Sequence, residues 1–192
     1  MAQFNRAVIF SGHMIDQPDR YTPRFPPQNE LAVANLLRSQ LQAWHGGRET
    51  LAVCGAAAGG DILFAESACA IGARVHLLLP FSLKAFVADS VEPAGVAWVD
   101  RFQRLTERCT ILCQPDVLGP EPNGCNAYQR NNLWILDHAR AELPGGPLLA
   151  LLLWDAHGGD GIGGTADFAG RCAEFAAEMV VIHPTTLEVS AR

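Results

Sequence analysis

The chain has 192 residues, a formal net charge of −6 and a hydrophobic fraction of 49%, with 18% charged residues. This composition excludes an intrinsically disordered chain and predicts a single domain, residues 1–192, with a large apolar core. The negative charge disfavours nucleic acid as a main partner. Because no run of 18 apolar residues occurs, we expect a cytoplasmic protein that does not enter a membrane.

Six apolar runs have the length of buried strands, at residues 7–10, 51–54, 75–79, 110–113, 148–154 and 179–183. Helical patterns lie between them, at residues 28–44, 61–71, 82–91, 96–108, 127–142 and 164–178. Continuous rather than alternating hydrophobicity is typical of parallel strands that are covered on both faces. The alternation predicts an α/β, Rossmann-like fold: a doubly wound, mainly parallel sheet of about six or seven strands with helices on both faces.

Six cysteines are scattered along the chain without a Cys-x-x-Cys pair. Most of them lie in apolar segments, which favours small buried side chains in a reducing compartment over disulfides or a zinc site. Their positions are Cys54, Cys69, Cys109, Cys113, Cys125 and Cys172.

The segment after the first predicted strand is a candidate part of a ligand site, because doubly wound sheets bind ligands beyond the carboxyl ends of their strands. His13 is either a donor to phosphate or a histidine that fixes the turn. The proline-rich residues 17–27 are longer than a plain connection and are expected to form a lid or a wall. Their Arg20 and Arg24 either fold over an anion or remain solvated. The candidate ligand-binding residues of this segment are Ser11, Gly12 and His13.

The segment after the second predicted strand, residues 55–61, is made of small residues followed by an aspartate. Glycines there accept positive φ and let the backbone approach a phosphate, while Asp61 is placed to cap the next helix. The segment is neither a Walker loop nor a dinucleotide fingerprint, and a tight turn without a ligand has the same composition. The candidate ligand-binding residues are Gly55, Ala56, Gly59, Gly60 and Asp61.

Another glycine-rich segment, residues 158–165, links the fifth predicted strand to the last helix. A helix start offers unpaired N–H groups to an anion. Two glycine-rich loops at one sheet edge predict a nucleotide site, with no metal held by protein side chains and any Mg²⁺ held through the ligand's phosphates. The candidate phosphate-binding residues are Gly161, Gly163, Gly164 and Thr165.

Three motifs occur in the order found in the LOG family of nucleoside-monophosphate phosphoribohydrolases, which belongs to the SLOG superfamily of Rossmann-like proteins. Residues 54–80 resemble that family's glycine-rich loop, small-residue helix and proline-closed strand. Tyr128-Gln129-Arg130-Asn131 resembles its Met-His-x-Arg-Lys segment, and Gly161-Ile162-Gly163-Gly164-Thr165 resembles its Gly-Gly-x-Gly-Thr loop. The resemblance implies a nucleotide ligand and a homo-oligomer, most simply a dimer paired through helices.

In the LOG family an arginine and a glutamate three residues after the loop's threonine carry N-glycosidic cleavage. Arg130 matches the arginine, so the resemblance implies that Arg130 meets the phosphate, but Phe168 stands at the glutamate position. Candidate replacements for that acid are Glu66, Asp155 and Asp160. Arg130 and Glu66 are accordingly the candidate catalytic residues if the protein is an enzyme.

The sequence therefore predicts binding or sensing of a nucleotide or nucleotide-derived ligand. The alternatives are N-glycosidic hydrolysis of a nucleoside monophosphate with a relocated carboxylate, and a structural or oligomerisation domain in which the glycine-rich loops are only turns.

Overall fold

The computed structural model describes residues 4–158, 162–175 and 177–192. Within these residues the strands are β1 (Arg6–Gly12), β2 (Thr50–Cys54), β3 (Arg74–Leu79), β4 (Thr110–Cys113), β5 (Leu148–Leu153), β6 (Glu178–Ile182) and β7 (Val189–Ala191). They form a seven-stranded sheet in the order β4-β3-β2-β1-β5-β6-β7. All neighbours pair in parallel except β6 and β7, which are antiparallel.

The described helices are α1 (Glu30–Ala43), α2 (Gly60–Ala70), α3 (Leu83–Ser90), α4 (Val96–Thr106), α5 (Gln114–Leu118), α6 (Ala127–Glu142) and α7 (Thr165–Glu174). Helices α1 to α4 contribute to the core on one face of the sheet, whereas α6 and α7 pack on the other face. The predicted doubly wound, mainly parallel architecture is confirmed. None of the described helices is long and apolar enough to cross a membrane.

The central strands show why continuous apolar runs form this sheet. Every residue of β2 and of β5 is buried. In β1, Val8 and Phe10 point into the core beneath α1 and α2, and Ala7 and Ile9 point into the core beneath α6 and α7. Because successive side chains of a strand alternate between faces, a strand covered on both sides needs apolar residues at every position.

Two short elements and one boundary differ from the sequence prediction. The segment after β4 contains the five-residue helix α5. Strand β7 is exposed at all three residues and lies at the sheet edge, so it lacks the apolar run by which the other strands were predicted. The helix predicted over residues 164–178 ends at Glu174, because β6 begins at Glu178.

Phe168 is a core residue of this fold. Its side chain is fully buried, in the cluster that α6 and α7 form against the sheet. An ionised carboxylate at this position would be removed from water without a partner, which is costly. The position at which the LOG resemblance implies a catalytic glutamate is therefore used here for packing.

Candidate functional site

The winding direction of the sheet reverses between β1 and β5. From β1 the chain proceeds outward through β2 and β3 to β4, and it then returns to add β5 and β6 on the other side of β1. The last residues of the two strands, Gly12 and Leu153, are paired. Connections that leave neighbouring strands toward opposite faces open a crevice at the carboxyl ends, where doubly wound proteins bind ligands.

A cavity of about 400 Å³, termed the main cavity, occupies this crevice. Residues from the ends of β1 and β2, from α3 and α6, and from the start of α7 line it. The structure thus brings together many of the residues predicted from the glycine-rich loops. Those that line the main cavity are Ser11, Gly12, Gly55, Asp61, Gly163, Gly164 and Thr165.

A second cavity of about 300 Å³, termed the side cavity, adjoins the first. The two cavities share four lining residues, Gly12, Met14, Gly164 and Thr165. The far wall of the side cavity is the proline-rich segment, which contributes Gln17, Arg20 and Arg24. The predicted lid or wall is therefore a wall of this cavity.

Asp61 places a carboxyl group in the main cavity. Its Oδ2 accepts a hydrogen bond from the Ala57 N–H at 3.3 Å. Its Oδ1 is buried and has no hydrogen-bond partner among the described residues. Gly55 makes room for the group, because a Cβ at that position would collide with Oδ2. Burial raises the pKa of Asp61 to about 7, although the backbone N–H groups of Ala57 and Gly12 act in the opposite direction.

The remaining residues of the 55–61 loop hold the loop against the rest of the protein. The Ala58 N–H donates to the Ser90 carbonyl at 2.9 Å, and the Gly60 N–H donates to the His13 carbonyl at 3.0 Å. Gly59 has φ +120° and forms an isolated β-bridge with Met14. The two segments are so close that a Cβ at position 59 would collide with the backbone of residues 13–15. The predicted residues Ala56, Gly59 and Gly60 do not belong to the described lining of either cavity.

The loop before α7 is described from Ile162 onward, and the predicted Gly161 lies outside the described residues. Gly163 has φ +84°, and a Cβ there would lie 2.6 Å from the Gln129 backbone nitrogen. Only glycine combines that φ with so close an approach to α6. Thr165, the first residue of α7, is buried, and its hydroxyl lies 3.4 Å from the Ser11 Oγ at the end of β1.

Two asparagines on α6 fix the walls of the main cavity. Asn131 donates from Nδ2 to the Leu78 carbonyl at 2.9 Å, which ties α6 to the end of β3. Asn132 donates from Nδ2 to the Gly163 carbonyl at 2.9 Å and to Asp167 Oδ2 at 2.8 Å. Asn132 therefore holds the loop before α7 in place.

The side cavity contains a charged cluster of His13, Arg24 and Asp155. Arg24 donates from Nε to Asp155 Oδ2 at 3.0 Å, and its Nη2 lies 3.0 Å from His13 Nε2. Burial and the Arg24 guanidinium lower the pKa of His13. Although burial opposes ionisation of Asp155, hydrogen bonds from Arg24 and from the His157 N–H hold the pKa of Asp155 well below its usual range. These contacts attach the proline-rich wall to the end of β5.

Arg130 lies outside the described lining of both cavities. Its Nη1 donates to the Gly119 carbonyl at 3.1 Å, and its Nη2 donates to the Leu118 carbonyl at 2.8 Å. The guanidinium thus satisfies carbonyl groups at the end of α5. The positive charge of Arg130 therefore has a local structural role. Arg130 was predicted as a site residue only from its match to the LOG motif. That match does not specify the path of the loop after β4, which determines the contacts of Arg130.

Glu66 also lies outside the described lining of both cavities. It is paired with Arg101 through two N–H donors, and Arg101 in turn donates to Glu30 at 2.7 Å. This network joins α1, α2 and α4. The acidic group that α2 contributes to the main cavity is Asp61 in its first turn, five residues before Glu66.

The sequence analysis did not select three further polar residues of the main cavity. The Tyr128 hydroxyl donates to the Asp89 carboxylate and lies 3.3 Å from Ser90 Oγ, and its ring packs edge-on against Phe81 at 5.4 Å. Tyr128 belongs to the motif that resembles the LOG arginine segment, so that motif could have indicated Tyr128 as a site residue. Asp89 and Ser90 end a short helix and carry no pattern of their own.

No family model matches the chain, and no curated protein matches it. Among solved structures, the chain is similar to the X-ray structure of TM1055, a structural genomics target. The two are 16% identical with a TM-score of 0.48, and the match covers 91% of this chain and 72% of that one.

The chain is also similar to the X-ray structure of DNA processing protein A (DprA) from Streptococcus pneumoniae. The identity is 14% and the TM-score 0.42, and the match covers 93% of this chain and 59% of DprA. The likeness to both proteins concerns the fold alone. The order of the strands confirms the predicted Rossmann-type fold.

The raised pKa of Asp61 predicts a pH-dependent stability. An aspartate in an unfolded chain has a pKa of about 3.9. Between about pH 4 and pH 7 the folded protein keeps the proton that the unfolded chain releases, so the free energy of unfolding falls as pH rises. We expect Asp61→Asn to raise the free energy of unfolding at pH 8 by on the order of 2 kcal/mol, and by less at pH 5.

Urea unfolding at the two pH values measures this difference. The matched control is Asp100→Asn on α4, where the carboxylate is exposed and the substitution is expected to change little at either pH. Equal effects of Asp61→Asn at pH 5 and pH 8 would show that the Asp61 carboxyl is already ionised at pH 5 in the folded protein, and would contradict the raised pKa.

Proposed function

We propose that the protein binds a nucleotide or nucleotide-derived ligand in the main cavity. The observation that carries the proposal is the position of this cavity at the reversal of the sheet. The start of α7 and Asp61, whose Oδ1 has no hydrogen-bond partner among the described residues, both line it. Its volume of about 400 Å³ falls within the range of small-molecule sites, about 300–1,000 Å³.

The apolar lining of the main cavity suits a planar base. Pro80, Phe86, Tyr128 and Ile135 supply this apolar surface. The Tyr128 ring is fixed by its edge-on contact with Phe81 and by the hydrogen bond from its hydroxyl to Asp89. A fixed aromatic ring offers stacking area at little conformational cost.

The start of α7 suits a phosphate. Gly164, the N-cap residue of α7, and Thr165, its first residue, line both cavities. A helix start provides N–H donors and a favourable dipole for an anion, and the Thr165 hydroxyl adds a donor. A longer ligand, such as ADP-ribose or NAD, would continue past Thr165 into the side cavity, which Arg20 and Arg24 line.

Asp61 favours a second candidate function, cleavage of the N-glycosidic bond of a nucleotide. A carboxyl group whose pKa lies near neutrality can donate a proton to a leaving base. Burial places the pKa of Asp61 at about 7, and its Oδ1 has no partner among the described residues. In this proposal Asp61 supplies the acid that Phe168 does not.

Ligand binding is tested with Thr165→Val, which removes the hydroxyl and keeps the shape of the side chain. We expect a nucleoside monophosphate, ADP-ribose, NAD or a cyclic nucleotide to raise the melting temperature of the wild type. A ligand at 100 times its Kd contributes ~2.7 kcal/mol. Loss of one hydrogen bond to a charged phosphate is expected to raise the Kd roughly tenfold in Thr165→Val.

The control for binding is Thr110→Val, at the exposed start of β4 and outside both cavities. It is expected to bind as the wild type does. An absence of any thermal shift with all four ligand classes would contradict the binding proposal.

Cleavage is tested by chromatography of the nucleotide after incubation with the protein. The enzymatic proposal predicts free base with the wild type, and loss of that release in Asp61→Asn with binding retained, because the amide cannot donate as an acid. Binding without release of base by the wild type would leave the binding function and rule out the hydrolase.

A further inference from the structure

Cys69 and Cys109 bring two thiols together far from the main cavity. Their Sγ atoms lie 3.7 Å apart. Cys69 is in the last turn of α2, and Cys109 immediately precedes β4. Because α2 begins at the main cavity and rises about 1.5 Å per residue, Cys69 lies roughly 12 Å from Asp61 along the helix.

The environment of the pair differs from the sequence prediction of small, buried cysteine side chains. Cys54 and Cys172 are buried, whereas Cys69 and Cys109 are partly exposed. Cys109 lines a third cavity, which also includes Arg74 and Thr110, the first residues of β3 and β4. That cavity lies at the amino ends of the strands and gives a small oxidant access to Cys109, and Cys69 is itself partly exposed.

The two thiols are not equivalent. The hydrogen bond between the sulfurs lowers the pKa of Cys69, the neighbouring Arg108 lowers it further against burial, and the same hydrogen bond raises the pKa of Cys109. The thiolate is the nucleophilic form of cysteine. The lowered pKa therefore favours Cys69 as the sulfur that is oxidised first, and the 3.7 Å separation places Cys109 to resolve the oxidised product.

Closure of the pair needs little movement. A disulfide has an S–S distance of about 2.05 Å, so the sulfurs must approach by less than about 2 Å. Both residues stand at the ends of their elements, where small backbone shifts break few hydrogen bonds. Cys125 is exposed but, among the described residues, its Sγ contacts a carbonyl at 3.8 Å rather than a second sulfur.

We propose that Cys69 and Cys109 form an oxidisable thiol pair that closes to an intramolecular disulfide with hydrogen peroxide. The Cys69 thiolate attacks one peroxide oxygen, the O–O bond breaks, and the leaving hydroxide takes a proton to become water. The Cys109 thiol then attacks the Cys69 sulfenic acid, forming the S–S bond and releasing a second water. Two thiols lose two electrons and two protons, and one peroxide becomes two waters.

The test treats the folded, full-length protein with hydrogen peroxide, blocks free thiols with N-ethylmaleimide and maps the product by mass spectrometry. Combined cleavage after Lys, Arg and Glu, which spares bonds before proline, separates Cys54 in residues 50–66 from Cys69 in residues 67–74. It leaves Cys109 in residues 109–130, together with Cys113 and Cys125. We expect the peptide 67–74 to be linked to 109–130, and the link to disappear on reduction with dithiothreitol.

Matched serine variants identify the partners. Cys69→Ser and Cys109→Ser are expected to lose the link. Cys113→Ser and Cys125→Ser, whose positions lie in the same peptide as Cys109, are expected to keep it. A link from Cys69 to Cys54, Cys113 or Cys125 would overturn the proposal. So would free, alkylated Cys69 and Cys109 in wild-type protein whose Cys125 has been oxidised. The peptide map of the oxidised wild-type protein tests the proposal even if a serine variant does not fold.

Discussion

The parallel pairing of β1 with β5 is the interaction on which the candidate site depends. The register runs without a break from Ala7 opposite Leu148 to Gly12 opposite Leu153, so both strands end at the same level of the sheet. Strands β2 to β4 lie on one side of β1, and β5 and β6 lie on the other. The connections that follow β1 and β5 therefore leave the sheet in opposite directions. The crevice is a consequence of topology, and the loops only shape its walls.

Close backbone approaches explain the glycine-rich loops more fully than ligand binding does. Gly59 admits the backbone of the β1 loop, Gly163 admits α6, and Gly55 admits the Asp61 carboxyl. These are packing requirements that hold with or without a ligand. What remains for a ligand is the start of α7 and the carboxyl oxygen of Asp61 that no described residue satisfies. The proposed function rests on these two features together, because either alone is common in proteins.

The sequence predicted the sheet well because buried parallel strands must be apolar at every position, as in the wholly buried β5. The sequence also predicted that Gly55, Asp61, Gly164 and Thr165 lie at the carboxyl edge of the sheet, since all four follow strands whose direction was predicted. It could not assign Arg130, whose contacts depend on the path of residues 118–120. Nor could it show that Phe168 belongs to the core or that Cys69 and Cys109 meet across 40 positions, because both depend on tertiary packing.

A ¹H–¹⁵N NMR titration of the full-length protein with adenosine monophosphate, ADP-ribose and NAD tests the central claim most directly, because it locates a ligand residue by residue. The account predicts saturable shifts that are largest at the amides of Gly12, Asp61, Gly164 and Thr165, around the reversal of the sheet. Saturable shifts confined to the amino ends of β3 and β4, or to the segment that Arg130 holds, would contradict it. So would the absence of saturable shifts with all three compounds.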